Sequence, residues 1–170
     1  MTVQNLLADT GMAGTWTLEP ERSSVRFISK TLWGLAPVKG SFTGVTGEGR
    51  ITPEGALSGR LVIRPESVRT GIGMRDRHLR AADFFDVKRF PEIIVEVTAG
   101  SPASDLATTL SIRGTTLPVP LAATVVRLDD SSVEITAHCD IDRTRWGVSG
   151  NMLGMMPPDT ALQAKAVFTR

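Results

Sequence analysis

Read for the alternation of apolar and polar positions, the chain is a series of short period-two segments interrupted once by a charged stretch. TWTL at 15–18 and SVRFIS at 24–29 open the series, and in the second Val25 and Phe27 face one way while Arg26 and Ile28 face the other. KGSFTGVTGEGRIT at 39–52 and LSGRLVIRPESV at 57–68 are separated by the turn PEGA and read as a meander, with Leu61 and Ile63 alternating against Val62 and Arg64. Glycines at 40, 44, 47 and 49 are dense for strands and mark bulges, strong curvature or places where another surface comes close.

The second half continues the pattern. PEIIVEVTAG at 91–100 alternates imperfectly, with Ile94 and the valines set against Glu92, Ile93 and Glu96, as in a strand buried partly on both sides. A hairpin turning at 113–116 is predicted within residues 105–130; SSVEITAHCDIDRT at 131–144 and TALQAKAVFT at 160–169 supply further strands. The pattern predicts an all-β fold of about eight antiparallel strands, a sandwich or barrel. Residues 1–14 read as a flexible N-terminal arm or short lead-in helix, and residues 15–170 as one domain.

The interruption is SVRTGIGMRDRHLRAADFFDVKRFP at 67–91. A short helix is predicted in the 71–90 segment: residues 75–83 make about two turns, Asp76 and Arg80 are four apart, and Leu79 and Ala82 share the opposite face. Phe84, Phe85 and Val87 then add apolar bulk before Pro91. Without further information this is a capped connector covering one end of the fold.

Composition narrows the function classes. Lys and Arg number 19 and Asp and Glu 18, so a net charge of +1 gives no general pull toward nucleic acid or anionic membrane. The basic residues Arg75, Arg77, Arg80, Lys88 and Arg89 are interleaved with Asp76, Asp83 and Asp86 and read as a salt-bridged surface, with no nucleic-acid partner. Cys139 is the one cysteine, which rules out an intrachain disulfide and leaves packing to hold the fold. The first 14 residues lack a secretory pattern and no stretch reaches transmembrane length, so a cytoplasmic protein with no transmembrane segment is expected.

Chemistry-bearing residues are sparse. His78 has Asp76 and Asp83 close in sequence, a pairing that can serve acid–base work and admits a hydrolase or isomerase built on His78 and Asp76. The same aspartates serve as caps or arginine partners, and no nucleophile motif accompanies them, so no catalytic residue is assigned. His138 and Cys139 are adjacent on a strand and point to opposite faces, so no metal site is expected, and no cofactor. An apolar interior is the stronger feature. By strand parity or motif position its candidate lining is Phe27, Phe42, Leu61, Ile63, Phe84, Phe85, Ile94, Ile112 and Trp146, with Met152, Met155 and Met156 as adaptable apolar groups at a mouth.

Several separated motifs resemble one family. They are Thr70, Arg75, Asp76, His78, Leu79, Arg80, Asp83, Phe84, Phe85, Asp86, Val87 and Pro91 of the central segment, SSVRF at 23–27, VKGSF at 38–42, LSIRGTTLPVPL at 110–121 and IDRTRWG at 141–147. Together they are similar to the YceI-like family and span nearly all of the chain after residue 14. Thr31, in TLWG, departs from the histidine usual at that place. The resemblance implies an eight-stranded, antiparallel, lipocalin-like β-barrel that binds polyisoprenoid lipids. It implies carriage or storage of a polyisoprenoid, an isoprenoid quinone or another long-chain amphiphile, without catalysis. Arg75, Arg77, Arg80 and Arg143 are then the candidate cations for a phosphorylated head, and His78 a weaker hydrogen-bond donor. A homodimer is the assembly it suggests, with Trp33 as a candidate interface residue; a closed barrel that recruits a protein partner is the other non-catalytic reading.

Overall fold

The computed structural model describes residues 1–29, 37–150 and 157–170. Helix α1 (Val3–Ala8) leads into strands β1 (Gly14–Leu18), β2 (Ser24–Ser29), β3 (Val38–Phe42), β4 (Val45–Ile51) and β5 (Leu57–Ile63). The two-residue strand β6 (Val68–Arg69) precedes helix α2 (Gly73–Arg80), which falls in the segment where a helix is predicted. Strands β7 (Ile93–Ala99), β8 (Ala107–Ile112), β9 (Thr115–Pro118), β10 (Ala122–Arg127), β11 (Ser132–Asp142) and β12 (Asp159–Thr169) complete the chain. The β8–β9 hairpin turns on Arg113 and Gly114, with φ of 50° and 73°, between the paired residues Ile112 and Thr115. Two successive positive φ values are what a tight two-residue hairpin needs, and Gly114 supplies one at no steric cost.

Strand β12 is the hub of the sheet. One edge pairs along its whole length with β11, from Asp142↔Asp159 to Ser132↔Thr169. Its other edge takes β2 over Thr160–Lys165 and β1 at Phe168 and Thr169. From β2 the ladder runs to β3 and β6; from β1 it runs through β4, β5, β7 and β8 to β9.

Two expectations are corrected here. Twelve strands, not eight, are found among the described residues, and they form an open antiparallel sheet, not a closed lipocalin-like barrel. The ladder stops because β9 and β10, although consecutive in the chain, do not pair with each other. The sequence between them explains this. Pro118 and Pro120 carry no N–H to donate, and the Val119 N–H between them is taken by the Thr108 carbonyl of β8 at 3.0 Å. Strand number was under-read because residues 39–52, read as one strand, hold most of β3 and all of β4, and because β6 and β9 are too short to show as periodic runs.

Inward side chains form two apolar clusters. The larger includes Phe27, Phe42, Ile63, Leu110, Ile112 and Ile141. The smaller gathers Val3, Leu6 and Leu7 of α1 with Trp16, Val125 and Val133. The first residues of the chain are thus built into the domain: the terminal amine donates to the Val125 carbonyl at 2.8 Å, and Thr2 bridges Thr124. The Trp16 indole donates to the Met12 carbonyl at 3.0 Å, which satisfies its one polar atom inside the cluster.

Candidate functional site: an apolar cavity

The apolar faces of the strands line a cavity of about 260 Å³. Phe27, Phe42 and Phe85 run along one side of it as a chain of rings, 5.7 Å between successive centroids, with the Phe42–Phe85 pair edge-on. Phe27 keeps its place because its cross-strand partner is Gly40, whose missing side chain leaves room for the ring. Phe84 and Phe85 are delivered by the turn after α2. There the Phe84 N–H donates to Ala81 O and the Phe85 N–H to Leu79 O, each at 3.0 Å, and Asp86 takes φ 49°. Arg113 holds this turn from outside by donating to the Ala82 and Phe84 carbonyls.

Polar atoms reach the cavity at few places. Ser29 and Thr160 pair with each other across β2 and β12 at 3.1 Å. Arg143 is buried, donates to the Val148 carbonyl, and holds its guanidinium 5.7 Å from the Phe84 ring centroid. Burial lowers the pKa of that guanidinium, and Asp142 partly opposes the shift. Burial, with Asp140 adding to it, raises the pKa of the Cys139 thiol, which also lines the cavity.

Of the candidate lining residues, Phe27, Phe42, Leu61, Ile63, Phe84, Phe85, Ile112 and Arg143 line this cavity. Ile94 does not. Its neighbours Ile93 and Val95 face inward, so the parity chosen for β7 was off by one residue. Trp146 is buried in the larger cluster with its indole donating to the Leu110 carbonyl at 2.8 Å, a core residue outside the cavity lining. Met152, with Met155, Met156 and Trp33, lies outside the described residues.

The charged candidates on α2 are committed elsewhere. Asp76 is buried and accepts from the Thr70 N–H at 2.9 Å and the Thr70 hydroxyl at 2.5 Å. Arg75 completes the clasp, donating to Thr70 Oγ1 and to the Thr70 carbonyl, both at 2.8 Å. Arg80 reaches back to the Glu66 and Val68 carbonyls. His78 is exposed, and Asp76 spends its carboxylate on Thr70, so the two do not assemble as an acid–base pair. Among the described residues no group of three or more His, Cys, Asp or Glu is placed to hold a metal. His138 is exposed and Cys139 buried, as their adjacency on one strand requires. No helix among the described residues is long and apolar enough to cross a membrane.

A family model for the YceI-like domain matches residues 16–168. The chain belongs to the YceI-like family. It is 35% identical over 167 residues to a UPF0312 protein of Staphylococcus aureus strain USA300, covering 91% of this chain and 96% of that one. Among solved structures it is similar to BcnA of Burkholderia cenocepacia, with a TM-score of 0.77 at 19% identity over 88% of this chain and 98% of that one. A polyisoprenoid binding domain from Saccharophagus degradans gives a TM-score of 0.77 at 18% identity, covering 91% of this chain and 97% of the other. At these identities the structural matches bear on the fold. Phe84 and Phe85 of the central segment are part of the cavity wall, while its Thr70–Arg75–Asp76 clasp lies outside the lining.

Residues that the sequence did not single out as lining also line the cavity: Trp16, Gly49, Gly59 and Thr108 among them. Strand parity could have found the glycines, since Gly59 is two residues before the inward Leu61. Nothing in the sequence marks Thr108 apart from its place two residues before Leu110.

Proposed function

We propose that this protein binds a polyisoprenoid or similar long-chain amphiphile, with the apolar chain held in the cavity, and that it carries or stores that lipid without transforming it. The observation that carries this reading is the cavity itself, an apolar space lined by Phe27, Phe42, Phe85, Leu61, Ile63 and their neighbours. Burying an isoprenoid chain there removes apolar area from water at roughly 25 cal/mol per Å², which suffices for useful affinity without a strong polar contact. The polyisoprenoid-binding domain of Saccharophagus degradans, similar in fold, supports the same class of ligand. The dismantled His78–Asp76 pair supports binding over turnover.

The test is uptake of isoprenoids of increasing chain length by protein stripped of lipid. Saturable uptake whose affinity rises with length and then levels off is the expected result. Length-independent or non-saturable association would count against the cavity as the binding place.

A further inference from the structure

Across β1, β4, β5, β7 and β8 one inward-facing row runs between the two apolar clusters, and two adjacent members of it, Gly49 and Gly59, carry no side chain. Trp16 pairs with Gly49, Gly49 with Gly59, Gly59 with Val97, and Val97 with Thr108, so the row crosses β1, β4, β5, β7 and β8 in register. Each of its inner members sits between the clusters. Ile51, Leu57, Ala99 and Leu106 belong to or pack on the α1 cluster, while Val45, Leu61, Val95 and Leu110 belong to or pack on the larger one. The core is divided because Gly49 and Gly59, adjacent across the strand pair, contribute nothing to fill the gap. A Cβ added at either would meet only backbone carbonyls, the nearest at 3.8 Å and 3.9 Å.

Bare backbone alone would be a packing feature. The hydroxyl at the end of the row adds a second observation. Thr108 is 4% exposed and lines the cavity, and its Oγ1 has no hydrogen-bond partner among the described residues. The other hydroxyls at the cavity wall, Ser29 and Thr160, satisfy each other, and the Trp16 indole at the opposite end of the row is spent on Met12. A buried hydroxyl left unmade costs the fold free energy, and a site that binds a polar group is where such a cost is tolerated.

We infer that Thr108, at the end of the Gly49–Gly59–Val97–Thr108 row, is a subsite for a neutral oxygen-bearing group of the bound amphiphile, a hydroxyl or a carbonyl. The apolar chain of the ligand runs over Gly49 and Gly59 and past Val97, and its oxygen exchanges a hydrogen bond with Thr108 Oγ1 two strands beyond Gly59. A hydroxyl both donates and accepts, so either a prenol or a quinone-type oxygen satisfies it. An anionic head does not fit here. No cation lies in the row, and an uncompensated charge among apolar neighbours is far more costly than a neutral dipole. The lipid therefore enters with its neutral oxygen inward, reaching the seam between the clusters. This rests on the lipid-binding reading above and adds the chemistry of the buried end.

The experiment compares a C20 prenol with the C20 isoprenoid hydrocarbon of the same skeleton, on wild type, Thr108→Val and Thr108→Ser. Thr108→Val is expected to weaken the prenol about five- to tenfold and to leave the hydrocarbon equally or more tightly bound. Thr108→Ser, which keeps the hydroxyl, restores prenol binding. Without ligand, Thr108→Val is expected to raise Tm, because an unsatisfied hydroxyl is replaced by a methyl of similar size. Equal responses of the two probes to Thr108→Val, or a fall in the ligand-free Tm, would overturn the subsite while leaving lipid binding in place. Failure of wild type to take up either probe would overturn the binding reading and the subsite with it.

Discussion

The ring of Phe27 lies across the backbone of Gly40, its partner on the next strand, so that a Cβ built on Gly40 would fall 2.2 Å and 2.3 Å from two atoms of the ring. Phe27 is at once a core residue and a wall of the cavity. Gly40→Ala must push the ring inward or part the strands. Overpacking of this kind costs about 1–3 kcal/mol. The expected outcome is a lowered Tm together with weakened isoprenoid uptake, measured by thermal unfolding and by lipid titration of the same preparation.

Asp76 and His78 separate structure from chemistry on α2. The Asp76 carboxylate holds Thr70 through two hydrogen bonds from a buried position, and His78 is exposed. Asp76→Ala is expected to destabilise by about 1.5–3 kcal/mol, the range for hydrogen bonds to a charged group, and to raise amide exchange through residues 70–80. His78→Ala is expected to change stability by no more than about 0.5 kcal/mol and to leave lipid binding intact. Chemical denaturation of the two variants side by side checks both.

The thiol of Cys139 reports on the cavity. Burial first, and the Asp140 charge second, raise its pKa, so less of it is thiolate at neutral pH than in the unfolded chain. Because the thiolate is the reactive form, a disulfide reagent at pH 8 is expected to react with native protein more than about tenfold slower than with denatured protein. Lipid occupying the cavity is expected to slow it further, since Cys139 lines the wall. A stopped-flow thiol assay on stripped and loaded protein makes the comparison.

Asp129 gives a pH signature. The Ser132 hydroxyl and the Ser131 N–H donate to its carboxylate and hold its pKa below the ordinary aspartate value. A group with a depressed folded pKa contributes stability that is present above the unfolded pKa and lost as pH falls through the folded one. Stability should therefore decline below about pH 3.8 through this group, and Asp129→Asn should flatten that part of the acid limb. Tm measured from pH 2 to pH 6 on both proteins shows whether it does.

The sequence carried the strands, the central helix and most of the cavity wall, because period-two alternation places Phe27, Phe42, Leu61, Ile63 and Ile112 on one face without knowledge of what lies opposite. It misplaced Ile94 because IIV is apolar at every position, so alternation there says nothing about which residue points inward. Alternation left sandwich or barrel open, and the closed barrel came from the family resemblance; the structure leaves the sheet open at LPVPL, where Pro118 and Pro120 offer no N–H groups. Arg75 and Arg80 were legible as charges but not as backbone tethers, because their acceptors are carbonyls of residues 66–70, which every residue type carries. Thr108 was invisible for the opposite reason: what distinguishes it is a buried hydroxyl with no partner among the described residues.

The central claim is that the cavity holds an isoprenoid chain. Native mass spectrometry of protein purified without detergent, followed by organic extraction of whatever leaves with it, tests this most directly. The account predicts one isoprenoid-bearing lipid per chain, released by denaturation and diminished by filling the bare row with Gly59→Val. Protein that carries no lipid and takes up none when isoprenoids are added would contradict it.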